Sequence, residues 1–187
     1  MNRYLFIAVL FAASADLNAQ APHMDELLRQ LDQTVTYSEP TISPDGNWIT
    51  WSQQEPGAAE QTYVLNRSET GAKPLRIEPP GEAVSGECHG FAWSKDSTQV
   101  AFLVVDSSRA YLFTLRVSDH SYRKLADLDG YARDIRWSPD NQQLAVLYAE
   151  GGGGGGPLEA EPAAVGEIGA ALHNQRLSVV NPAVRSN

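Results

Sequence analysis

The chain has 187 residues, 42% hydrophobic and 20% charged, enough for about one globular domain and too apolar for a disordered tail. A net charge of −9 with no run of Lys or Arg repels phosphate backbones and sets aside nucleic acid as the expected partner. The single cysteine, Cys88, excludes an internal disulfide and a CxxC zinc site.

The chain opens with MNR, a positive start, and then Tyr4–Ala13 (YLFIAVLFAA), an apolar core of signal-peptide length. That core is too short for a comfortable membrane span of about 20 residues. Small residues at Ala13, Ala15, Ala19 and Ala21 offer cleavage sites. Residues 1–19 are read as a signal peptide cleaved near Ala19, leaving a mature protein without a stable membrane span. Export to a periplasm or the outside follows as an expectation.

Residues 20–35 read as a short helical lead-in. Met24, Leu27, Leu28 and Leu31 fall at i, i+3, i+4 and i+7, one face of a helix. Asp25 and Glu26 are expected in its first turn, where carboxylates suit the helix dipole.

A repeat governs residues 36–187. TISPDGNWITWS, FAWSKDSTQVAFLVV and IRWSPDNQQLAVLY share a Ser, a Pro or Lys, an Asp, polar residues and an apolar run. Ser43, Ser94 and Ser138 recur 51 and 44 residues apart, a period that points to propeller blades. The second repeat reads as four strands: GFAWS, TQVAFLVV, AYLFTLRV and SYRKLADL. VAFLVV is apolar on both faces, as expected for a strand covered on both sides. The first repeat supplies NWITWS, QTYVLN and PLRIE in the same order, and the third DIRWS, QLAVLYAE and QRLSVVN. The third is interrupted by a Gly-rich insertion, 151–174, whose six glycines read as a flexible loop. No Gly-Lys-Ser/Thr follows them, so they form no phosphate cradle. The predicted fold is all-β: a partial β-propeller of two full four-stranded blades and an incomplete third, at about 40–84, 85–129 and 130–187. Propellers close with roughly four to eight blades, so marginal stability is expected for these residues alone.

SPDG places Ser, Pro, Asp and Gly at positions i to i+3 of a type I turn. Asp45, Asp96 and Asp140 then share one turn position, and a catalytic acid is seldom needed three times in equivalent loops. Trp93 and Trp137 precede two of the serines, with Ile42 in the first repeat, and are expected to pack between blades. His23, His89, His120 and His173 show no HxH or HxxxH spacing. Cys88 and His89 are adjacent on a strand and should face opposite ways. Ser85 has Gly86 after it but Ala83 two before it, so no Gly-x-Ser-x-Gly elbow is present. The residues predict no catalytic, cofactor or metal site.

The three SPDG-type segments resemble the blades of TolB-like, WD-like propellers. MDELLRQLDQTVTYSEPTISPDGNWITW further resembles the start of bacterial members of the prolyl oligopeptidase and dipeptidyl peptidase family. The resemblance implies an N-terminal propeller that gates access to an α/β-hydrolase domain carrying a Ser-Asp-His triad, with peptide as substrate. No residue here matches that triad, so the expected role is the non-catalytic propeller portion of an exported serine peptidase, truncated before its hydrolase domain. The alternative is a stand-alone periplasmic TolB-like propeller that binds a protein or ligand. A propeller-type polysaccharide lyase would need metal or base residues that the sequence does not display.

Overall fold

The computed structural model describes residues 21–31, 33–81, 86–106, 109–150 and 176–182. The signal-peptide segment 1–19, Ser85, the Gly-rich insertion 151–174 and His173 lie outside the described residues. The chain divides into two units, Met1–Thr34 and Val35–Asn187.

In the first unit, α1 spans Ala21–Leu31. It starts earlier than its apolar spacing suggests, so Asp25 and Glu26 fall in the second turn and the first turn carries no acid. Glu26 instead accepts from Arg29 Nη2 at 2.6 Å and from Gln30 Nε2 at 2.9 Å, the i,i+3 and i,i+4 neighbours on a helix surface. No helix among the described residues is long and apolar enough to cross a membrane.

The second unit is all β, every neighbouring pair of strands antiparallel. β1 (Thr36–Ile42), β2 (Trp48–Gln54), β3 (Gln61–Asn66) and β4 (Leu75–Arg76) form one sheet in sequence order. NWITWS is therefore the second strand of its blade, and TYSEPTI the first. TYSEPTI escapes sequence reading because it holds a proline and a carboxylate and its residues are largely exposed. The second sheet runs β5 (Glu87–Trp93), β6 (Gln99–Asp106), β7 (Arg109–Arg116), β8 (Ser121–Trp137), β9 (Leu144–Glu150) and β10 (Arg176–Val180).

β8 serves two blades without a loop between them. Its first half, to Asp129, pairs with β7, and from Gly130 onward it pairs with β9. Gly130, at φ 142°, sits at this change of partner, a conformation side-chain-bearing residues rarely adopt. Among the described residues the architecture is thus two four-stranded blades and three strands of a third.

Two apolar layers join the blades. Val64 and Ile77 of the first meet Phe91, Val100, Phe102, Val104 and Phe113 of the second. Ala101, Leu103 and Leu112 on the other face meet Ile135, Leu144 and Val146 of the third. This is why VAFLVV is apolar on both faces: each parity of β6 serves one interface. The first blade contributes polar residues to its interface, Thr50, Ser52 and Thr62, all buried. They are tolerated because they pair: the Ser52 and Thr62 hydroxyls lie 3.0 Å apart, and those of Thr41 and Thr50 2.6 Å.

Candidate functional site

The three serine turns are built alike. The residue at i+3 returns its N–H to the serine carbonyl in each: Gly46 to Ser43 at 2.9 Å, Ser97 to Ser94 at 2.9 Å and Asn141 to Ser138 at 3.0 Å. All three i+3 residues have positive φ, at 74°, 59° and 58°. Each serine Oγ then donates to the turn Asp: Ser43 to Asp45 at 2.5 Å, Ser94 to Asp96 at 2.7 Å, Ser138 to Asp140 at 2.5 Å. The same Oγ accepts a backbone N–H five residues on, from Trp48, Gln99 and Gln143. Hydrogen bonds from the serines and from the following backbone N–H groups hold Asp45, Asp96 and Asp140 below the usual carboxylate range. A carboxylate so engaged is a poor general base, and each is spent within its own turn.

The turns also latch blade to blade, which the sequence did not disclose. Ser97 Oγ accepts from Asp45 N at 3.0 Å, and Asn141 Oδ1 accepts from Lys95 N at 2.7 Å. In both cases the i+3 side chain holds the turn of the preceding blade. The donor moves from i+2 to i+1 because Pro44 has no N–H and Lys95 has one. The tryptophans add a second row of staples. Trp93 Nε1 donates to Thr41 Oγ1 at 3.2 Å, and Trp137 Nε1 to the Ala92 carbonyl at 2.9 Å.

The first strands of the three blades, β1, β5 and the second half of β8, carry a further internal repeat. Glu39 (φ 48°), Gly90 (φ 67°) and Asp134 (φ 50°) each stand four residues before a turn serine, at a break in strand register. Glu39 uses this position to cross between blades. Its Oε2 accepts from Gly90 N at 2.7 Å, and its Oε1 lies 3.2 Å from His89 Nδ1. His89 Nε2 lies 3.6 Å from Glu87 Oε2, and Glu60 accepts from Ser38 Oγ at 3.0 Å nearby. Burial raises the Glu39 carboxyl, but the hydrogen bonds from His89 and Gly90 and the His89 charge outweigh it and leave it below its ordinary value. The Glu39 hydrogen bond raises His89, against its burial, and the charges of Glu39, Glu60 and Glu87 add to the rise.

This pair makes stability depend on pH. The raised His89 stabilises the fold fully below its ordinary 6.5 and loses that as pH climbs through its folded value. The lowered Glu39 contributes above its ordinary 4.5 and loses that as pH falls through its folded value. The latch is therefore fullest between 4.5 and 6.5. Both side chains are more than a third exposed, so solvent screening limits the effect to about 0.5–1 kcal/mol. Urea midpoints at acidic and alkaline pH should converge for the wild type and His89→Gln as pH rises. A constant difference between them across that range would remove the pair as the source.

Cys88 points the other way, buried among Phe91, Val104 and Val64. Burial pushes its thiol up to about 12, so the thiolate needed for nucleophilic attack is scarce. His120 sits in the turn after β7, at φ 54°. His23 lies in α1, and its side chain is outside the description. Among the described residues no group of three or more His, Cys, Asp or Glu could hold a metal ion.

At the turn end of the blades, a cleft of about 610 Å³ crosses all three. Ile42, Trp93 and Trp137 form apolar walls, and Lys95 and Arg136 are its charged lining.

No family model and no curated protein matches the chain. Solved structures do. An acylaminoacyl peptidase solved with Z-Gly-Gly-Phe-chloromethyl ketone is similar at 13% identity and a TM-score of 0.55, over 81% of this chain and 24% of that one. The fold is that of a β-propeller. The propeller domain of the Trilobed protease from Pyrococcus furiosus is also similar, at 12% identity and TM-score 0.47, over 62% of this chain and 35% of that one. So is TolB from Acinetobacter baumannii, at 11% identity and TM-score 0.48, over 78% and 32%. The chain spans between 24% and 35% of the length of these structures.

Proposed function

We propose that these blades belong to the substrate-gating propeller of an exported serine peptidase of the prolyl oligopeptidase type. The observation that carries the reading is the superposition of 81% of the chain on an acylaminoacyl peptidase. The SPDG turns and the DELL-type lead-in before them point the same way. In this reading the blades are a scaffold and a filter. The turn carboxylates are spent on their own serines, and the Cys88 thiol is buried and protonated. Acyl transfer from a peptide bond to water is then run by a Ser-Asp-His triad on an α/β-hydrolase domain outside residues 1–187.

The test is labelling of the native protein in its source cells with a fluorophosphonate probe, which marks activated serines. The expected result is a labelled, exported polypeptide, larger than this chain, whose digest contains peptides from 36–150. Recovery of those peptides only from an unlabelled species would overturn the reading. It would favour the second one, a non-catalytic propeller that binds a protein or ligand, for which the open cleft at the turn end speaks.

A further inference from the structure

The cleft at the turn end is chemically unlike the rest of the chain. Asp and Glu outnumber Lys and Arg by 23 to 14, yet the cleft is lined by Lys95 and Arg136 and by no carboxylate. Asp45, Asp96 and Asp140 stay ionised but are turned to their own serines, and among the described residues neither Lys95 nor Arg136 forms an ion pair within 4.0 Å. Lys95 and Arg136 are both exposed. Arg136 Nη1 donates to the Ile135 carbonyl at 3.1 Å, which anchors one edge of the guanidinium and leaves its other donors for a ligand. The Lys95 backbone is anchored by its N–H bond to Asn141 Oδ1 at 2.7 Å, which fixes where its side chain leaves the turn.

The apolar walls are equally fixed. The indole N–H groups of Trp93 and Trp137 are committed to the preceding blade, so the rings hold their orientation and offer only apolar surface. A rigid aromatic wall beside a planar cation suits an apolar side chain next to a carboxylate. The cleft also runs along three successive turns, a length that fits an extended chain better than a compact anion. A net charge of −9 repels a polyanion far more than a peptide with one or two carboxylates.

We infer that this cleft binds an extended peptide in which a carboxylate flanks an apolar or aromatic residue. Lys95 and Arg136 take the carboxylate, and Trp93, Trp137 and Ile42 take the neighbouring side chain. The inference stands independently of the peptidase reading, since it needs no hydrolase domain and no turnover.

Binding of the blocked peptide acetyl-ALEFEA-amide to the full chain, followed by tryptophan emission and calorimetry, tests it. Its Gln analogue, acetyl-ALQFQA-amide, has the same shape without the charge. The acidic peptide should bind saturably and about tenfold more tightly than the analogue, a preference that fades as salt shortens the screening length. Lys95→Gln and Arg136→Gln should each weaken the acidic peptide by about three- to fivefold, and the double variant should bind both peptides alike. Both side chains are exposed, and the peptide ratio is read within each variant, so a small loss of stability does not obscure the result. Equal affinity of the two peptides for the wild type, an undiminished preference in the double variant, no binding of either, or tighter binding of a short oligonucleotide would each overturn the inference.

Discussion

Phe102→Ala is expected to destabilise the propeller by about 3–5 kcal/mol, the range for losing a fully buried aromatic side chain. Phe102 is fully buried at the centre of β6. Its ring stacks between Phe91 on β5, at 6.0 Å, and Phe113 on β7, at 5.9 Å. It also belongs to the layer that receives Val64 and Ile77 from the first blade. Removing the ring breaks a stack across three strands and thins an interface between two blades. Paired strands cannot move inward to fill the space without losing register, so the cavity stays open. Typical domains have about 5–15 kcal/mol in total, so the loss removes a large part of the stability. Urea unfolding followed by far-UV circular dichroism measures it. Phe102→Leu, which keeps much of the volume, should cost markedly less. An unchanged midpoint for Phe102→Ala would show that this stack is not the core of the sheet.

Ser94→Ala should cost about 1–3 kcal/mol, the penalty for leaving a buried polar group unpaired. Ser94 is 1% exposed. Its hydroxyl lies 2.7 Å from Asp96 Oδ1 and accepts Gln99 N at 3.0 Å, where β6 begins. Alanine leaves that N–H without an acceptor, with little access for water, while Asp96 loses its serine donor and keeps only those of Thr98. The comparison is Ser138→Ala, which removes the same bonds from a half-exposed position where water can replace them. The Ser94 variant should therefore lose clearly more stability than the Ser138 variant. Equal losses would mean that burial does not set the value of this hydroxyl. No change in either would mean that the turn is held by its backbone bonds alone.

The strands of the second blade were legible because periodicity and β-branched content are local signals. The turn serines and aspartates were legible for the same reason: an Asp–Ser hydrogen bond two residues apart is written in adjacent letters. β1 was hidden because Pro40 and Glu39 contradict strand propensity, and its pairing with β2 supplies the order that its composition does not. The Glu39–His89 contact spans 50 residues, and no spacing rule reaches across such a gap. A partial signal did exist. Glu39, Gly90 and Asp134 each stand four residues before a turn serine, and two of the three are residue types that tolerate positive φ.

By itself, the sequence determined the repeat, the turn chemistry, the all-β class and the acidic balance, because each depends on neighbouring residues or on composition. Tertiary structure alone decided which turn side chain latches which blade, where Trp93 and Trp137 place their N–H groups, and that Lys95 and Arg136 share one cleft. These depend on the stacking of one blade on the next. Stacking brings together residues about one repeat apart, and only the fold sets their distance.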